Sequence, residues 1–307
     1  MFANKNNAQL AISSLLATCA TLGVWSCKPV SAPEQVAITF DSLCYHINQA
    51  YPAIEGKEKP CLDIDVSVLP AVKGASKEVV DKANRFIAEM LVSYGGTKGA
   101  SLKDCVSALV DNHIAHYRDW VSSEADNYAS SPKAAERWLS SEFSLEGKPV
   151  FNRNGVLTYG IAKYENSGSQ HGESSYNYST CSFEYLPDGK SEYVCHPISL
   201  ADVVLPDSLE SLNAILVNRI VKLFNAKNYE QLLREGPLFE NAEVSAVDNF
   251  YLTNEGINFV YNMYEIAPYA AGTIELSTTW DELKPLMPAE SPLMRIVNTQ
   301  LPDEQNL

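Results

Sequence analysis

Apolar and polar residues alternate with a two-residue period from Cys61 to Leu69. Leu62, Ile64, Val66 and Val68 fall on one face, and Asp63, Asp65 and Ser67 on the other, as in a half-buried strand. Ile38 to Asn48 reads as a second strand, paired with the first as a hairpin. From Lys77 to about Tyr94 the period becomes helical. Val79, Val80, Ala83, Phe86, Ile87, Met90 and Leu91 share one stripe, and Gly95-Gly96 ends it. Ser101 and Asp104 stand in capping-box spacing and start a second helix toward Trp120 or beyond. Residues 122–134 read as an irregular polar segment.

Strand patterns then return. Trp138 to Phe151 and Val156 to Tyr164 are predicted strands joined by the turn residues 152–155. A Gly/Ser loop, 165–173, leads to a tyrosine-rich strand, 175–186, a tight turn and a strand from Glu192 to Cys195. Asp207 to Glu210 is predicted to cap a helix whose stripe is Leu209, Leu212, Ile215, Leu216, Ile220, Leu223 and Phe224. A short helical turn is expected over 228–234. The stretch 249–287 is the densest in signals. Asn254-Glu255-Gly256 is a turn between aromatic and β-branched runs. Ile257, Phe259 and Tyr261 share a strand face, and Tyr264 to Gly272 is a Pro-fixed, Gly-ended connection. A further strand (273–276) follows, and Thr278-Thr279-Trp280-Asp281 is predicted to start a short helix in capping-box spacing.

Strand runs and helix runs are segregated, which predicts the α+β class. The expectation is antiparallel sheets with helices packed on one face, in two α/β subdomains. The boundaries read as a signal peptide with a lipobox cysteine (1–27), a linker (28–36), an N-terminal α+β domain containing the Gly/His loop (37–200), a C-terminal helix-plus-sheet domain (201–288) and a partly disordered tail (289–307).

Charge and cysteines narrow the setting. A formal net charge of −15 argues against nucleic acid; it either simply keeps a protein outside the cytoplasm soluble or steers it to a basic partner. Lys5 precedes an apolar run, Leu10 to Trp25, too short and too early for an ordinary membrane span. It ends at Ser26-Cys27, a pattern that resembles the lipobox of bacterial lipoproteins. The expectation is an exported protein, lipid-anchored through Cys27 in the cell envelope, on its periplasmic or surface face; Trp25, an unusual occupant of the pattern, leaves simple secretion or an uncleaved anchor as the alternatives. Cys181 and Cys195 flank a turn and are predicted to lie opposite each other; Cys44 and Cys61 flank a connection in the same way. Both pairs are disulfide candidates in an oxidising compartment. Cys105 is left over as a buried thiol on a helix.

Candidate chemistry is sparse. His113 and His116 lack the His-Glu-x-x-His spacing of a zinc helix and read as packed or capping residues. No Gly-x-Ser-x-Gly elbow or recognisable nucleophile setting is present. Asp63 and Asp65 read as solvated carboxylates on an outer strand face. No metal or cofactor is predicted. His171 lies in a Gly-flanked loop, either as an exposed binding group or general base or as a brace for the turn. Tyr264, Glu265 and Tyr269 either line a groove or hold the loop and pack on the sheet.

Three segments carry a resemblance: Gly168-Ser169-Gln170-His171-Gly172, Ser199-Leu200-Ala201-Asp202, and Glu255 to Phe259 with Tyr264 to Gly272. Together they resemble a two-domain family of unknown function. That family is shared with the extracytoplasmic part of RsiV-type anti-sigma factors, which bind lysozyme, and the non-catalytic part of PdaC-type peptidoglycan deacetylases. The family's loop is of a Gly-Gly-Ala-His-Gly type, from which Ser169-Gln170 depart. No cytoplasmic sigma-binding segment precedes the apolar run and no deacetylase domain follows residue 287. The resemblance implies a non-enzymatic binding module for a lysozyme-like basic protein or a peptidoglycan fragment, held through His171, Gly172, Tyr264, Glu265 and Tyr269. The alternative is a hydrolase or transferase acting on cell-wall polysaccharide with His171 or Glu265.

Overall fold

Two sheets, each with its own helices, organise the chain. The computed structural model describes residues 38–41, 45–53, 58–168, 171–186 and 192–299. The predicted signal segment, Cys27, the linker, Cys44 and the loop residues 169–170 lie outside them.

The six-stranded sheet contains β2 (Tyr45–Pro52), β3 (Cys61–Val68), β5 (Ser141–Arg153), β6 (Val156–Ser167), β7 (Glu173–Leu186) and β8 (Glu192–Ile198), in that spatial order. Every pairing is antiparallel except β3 with β5. Parallel neighbours need a long crossover. Here it holds β4 (Ala71–Lys73), which pairs with β1 (Thr39–Phe40), and then three helices: α1 (Lys77–Leu91), α2 (Leu102–Glu124) and α3 (Pro132–Trp138).

The helical stripes of α1 and α2 cover one face of this sheet. Ile87, Leu91, Leu109 and Tyr117 pack on Ile64, Val66, Phe143 and Leu145. Gly95, at a φ of 101°, takes the left-handed conformation that ends the first helical segment.

Residues beyond 200 build the second layer. After the four-residue α4 (Leu200–Val203), α5 (Leu209–Leu223) and α6 (Tyr229–Arg234) precede a three-stranded sheet. Its strands β9 (Phe250–Leu252), β10 (Gly256–Tyr261) and β11 (Ile274–Thr279) are antiparallel, with β10 central. Leu212, Leu216 and Ile220 of α5 pack with Ile257, Phe259 and Leu276. Arg219 fixes this layer: it reaches Glu282 at 2.6 and 2.8 Å and the Ser277 carbonyl at 3.0 Å. Glu282 also completes the capping box of α7 (Trp280–Leu283).

The α+β class with antiparallel-dominated sheets is therefore observed. Several local expectations are corrected. Residues 122–134 are mostly helical: α2 runs to Glu124, a 3-10 turn spans Ala125–Tyr128, and α3 starts at Pro132. Trp138 ends a helix instead of starting a strand, since Pro at the first helical position favours the helix. Ser208 makes no side-chain cap, because a 3-10 turn (Pro206–Ser208) leads straight into α5.

The described part of the tail, residues 289–299, packs on the second core. Leu293 and Ile296 are buried in the second core, around α8 (Met294–Val297). Arg295 reaches Glu184 at 3.0 Å and the Phe183 carbonyl at 3.2 Å on β7. Two apolar anchors and one cation outweigh the polar composition of this segment. No helix among the described residues is long and apolar enough to cross a membrane.

Candidate functional site

Strand β7 is longer than its neighbour β8, which pairs only with Thr180–Leu186. That leaves the backbone of the 173–179 half open on one side. Two asparagines fill it. Asn249 accepts from the Tyr178 N–H at 2.9 Å and donates to the Tyr176 carbonyl at 2.9 Å. Asn262 accepts from the Tyr176 N–H at 2.7 Å and donates to the same carbonyl at 3.1 Å. A carboxamide carries the same donor and acceptor as a peptide, so these side chains stand in for a missing strand. Tyr178 stacks on Tyr251 at 4.7 Å in the same seam, and burial, then the nearby Glu275, pushes its hydroxyl up to about 12.

Asn262 also begins the loop between β10 and β11. Anchoring its first residue to β7 brings that loop beside the loop that enters β7. The candidates from the two loops meet there. The His171 and Tyr269 rings lie 4.2 Å apart, and Tyr269 and Tyr264 are 6.2 Å apart. The Tyr269 hydroxyl donates to the Gly172 carbonyl at 3.2 Å. His171, Tyr264, Glu265 and Tyr269 are exposed and Gly172 is buried. Tyr264 is 49% exposed and sits at a φ of 68°, a left-handed conformation uncommon for tyrosine. Ile266 and Ala267 plug the core behind it, which turns the two tyrosines outward. Glu265 accepts from the Asn262 N–H at 3.0 Å and so closes the turn.

Gly172 has a steric reason. A Cβ there would lie 2.3 Å from the Tyr164 ring. Tyr164 therefore packs against the loop backbone and lines a shallow groove of about 410 Å³ on the open face of the large sheet, together with Tyr176, Asp65 and His46. His46 and Asp65 lie 3.1 Å apart across β2 and β3.

The other candidates lie elsewhere. His113 stacks on Phe143 at 3.8 Å with Nδ1 2.9 Å from the Leu109 carbonyl, and burial lowers its pKa below the usual range. Among the described residues no group of three or more metal-ligating side chains is assembled.

The described cysteines are free thiols. Cys105 is buried, with Sγ 3.3 Å from the Ala88 carbonyl. Cys181 pairs in register with Pro197, and Cys195 with Phe183, so the two cysteines are diagonal neighbours and not directly opposite as predicted. The neighbouring Cys181 thiol lowers Cys195, whereas burial raises Cys181. The proposed partner of Cys61, Cys44, lies outside the described residues.

The C-terminal layer carries the family signal. Residues 201–281 match DUF3298, a protein family of unknown function. The crystal structure of a DUF3298 family member from Bacteroides fragilis has a TM-score of 0.71 to this chain. It covers 87% of this chain and 99% of its own at 19% identity. A DUF3298 family protein from Pseudomonas aeruginosa has a TM-score of 0.50, covering 82% and 95% at 16% identity. At these identities the shared property is the fold. No curated protein matches this sequence. The DUF3298 match includes β9 to β11 and the tyrosine loop, whereas His171 and Gly172 come from the preceding layer.

Sequence reasoning missed Asn249, Asn262, Tyr164 and Trp138. Tyr164 was legible from strand parity, and Trp138 from Ser131-Pro132 as a helix start. The asparagines gave no local signal, because their partners lie more than seventy residues away.

Proposed function

We propose that this chain is a non-enzymatic binding module of the bacterial cell envelope, anchored through Cys27. It holds a wall-related partner, either a lysozyme-like basic protein or a peptidoglycan fragment, at the His171–Tyr269–Tyr264 corner. The observation that carries this reading is that two loops from different sheets converge on one exposed aromatic cluster. Rigid aromatic side chains presented at a surface are the usual anchors of recognition. The net charge of −15 suits a basic partner through steering. The resemblance to lysozyme-binding anti-sigma factors and to the non-catalytic part of peptidoglycan deacetylases supports the same class.

The hydrolase or transferase alternative needs a carboxylate directed at substrate beside His171. Glu265 instead holds the Asn262 N–H, which weighs for binding.

The test is capture of hen lysozyme at low salt and co-sedimentation with insoluble peptidoglycan, using the full chain in detergent. Tyr269→Ala and Tyr264→Ala are expected to weaken retention by roughly tenfold or more each. Equal retention by both variants, or none by the parent chain, overturns the reading.

A further inference from the structure

The three-stranded sheet lies over only part of the open face of the six-stranded sheet. β9 crosses β5, β6 and β7 near their β5–β6 turn, with Phe151 and Val156 in the shared core. At the opposite end none of the described elements crosses the same face, which opens a cleft of about 520 Å³. Its floor includes Asp63 of β3 and Glu142 of β5, its wall Arg137 and Trp138 from the end of α3, and its rim Asn166 and Gly168. We infer that this cleft takes an uncharged oligosaccharide, with the Trp138 indole as its platform. The inference rests on the binding-module reading and names the ligand class for it.

Three observations support a built site. Asp63 and Glu142 occupy directly paired positions in the parallel β3–β5 register. Like charges set against each other weaken a sheet. Among the described residues neither carboxylate forms an ion pair. The arrangement is therefore a cost in the empty protein that hydroxyl donors from a ligand would offset.

Trp138 is 37% exposed, which is unusual for so large an apolar ring, and the Arg137 guanidinium 5.3 Å from its centroid fixes its attitude. Gly168 shapes the wall. It has a φ of 67°, and a Cβ on it would fall 1.9 Å from the Trp138 carbonyl oxygen, so only glycine lets the end of β6 close on the tryptophan.

The chemistry selects the class. Adjacent carboxylates, an amide and one guanidinium match the dense hydroxyl donors and acceptors of a sugar, and an indole face suits the C–H face of a pyranose. The same carboxylates disfavour a chain that carries a phosphate or carboxylate on every sugar ring. The volume lies within the range of small-ligand sites, roughly 300–1,000 Å³.

The test is titration of the full chain in detergent with chitotetraose, read by tryptophan fluorescence and calorimetry. The chain has four tryptophans, so Trp138→Phe identifies the reporting ring. Saturable binding is expected, with Trp138→Ala weakening it about tenfold or more. Asp63→Asn is expected to weaken binding while raising the unfolding midpoint, because it removes the like-charge pair. That sign separates lost recognition from lost folding.

No saturation up to ~10 mM, or equal binding of tetragalacturonate or tetralysine, overturns the inference. Retention on peptidoglycan that is lost in Tyr269→Ala but unchanged in Trp138→Ala removes the cleft and keeps the binding module. Retention by neither the parent chain nor any variant removes both.

Discussion

Tyr269 lies with its ring 4.2 Å from that of His171 and its hydroxyl on the Gly172 carbonyl, so one residue of the C-terminal layer meets two consecutive residues of the N-terminal layer. This contact depends on how the two layers are joined.

Asn249 is the first point to break. Its carboxamide satisfies the Tyr178 N–H and the carbonyls of Tyr176 and Val260. Asn249→Ala leaves these partly buried groups without that partner, an expected loss of about 2–4 kcal/mol from unsatisfied backbone. Urea unfolding followed by far-UV circular dichroism measures it. Asn249→Asp keeps the acceptor but sets a carboxylate oxygen against the Tyr176 and Val260 carbonyls, so its loss should equal or exceed that of the alanine variant.

Gly172→Ala tests the corner more than the fold. The added Cβ meets the far end of the Tyr164 ring, which is able to swing away at a cost of roughly 1–3 kcal/mol. The swing disturbs the wall shared by the corner and the groove. Retention of the wall-related partner should drop further than thermal stability does. A variant that loses stability and binds normally contradicts this.

His113 predicts an acid-sensitive term. Burial holds its pKa below 6.5, with a carbonyl contact and Glu165 pulling upward, and His116 and Lys163 pulling down. The unfolded chain therefore takes up a proton that the folded chain refuses. This part of the stability is complete above about pH 6.5 and is lost as pH falls toward the depressed folded value. The slope is at most about 1.4 kcal/mol per pH unit. Comparing urea midpoints at pH 7.5 and 5.5 for the parent and His113→Phe isolates it, and the variant should lose less on acidification.

Cys195 should react before Cys181. Contact with the Cys181 thiol favours the Cys195 thiolate, whereas burial raises Cys181. Limited alkylation with iodoacetamide, mapped by peptide mass spectrometry, is expected to label Cys195 first. Cys181→Ser removes that contact and should slow the labelling.

Legibility in the sequence followed the range of the forces involved. The strand β3 and the helix α1 declare themselves through the two-residue and 3.6-residue periods of residues that bury one face. The capping box at Ser199 is equally local and is present, whereas the one expected over Thr278–Asp281 sits one residue later, on Thr279 and Glu282. Short apolar segments after a polar stretch read poorly: α8 owes its order to Leu293 and Ile296 entering a core built mostly from residues before 288. Trp138 reads as a strand residue in the sequence because an aromatic beside a strand pattern looks like its first position.

The chain's own pattern determined the α+β class, the helical stripes, the hairpin at Gly256 and the tyrosine loop, because each depends on residues within a few positions of one another. It also marked His171 and Tyr269 as residues of interest. That they touch was decided only in three dimensions, when two asparagine side chains closed the open edge of β7 and drew one loop against the other. The pairing of Asp63 with Glu142 and the cleft above them belong to the same level, since both depend on a parallel crossover that no local period records.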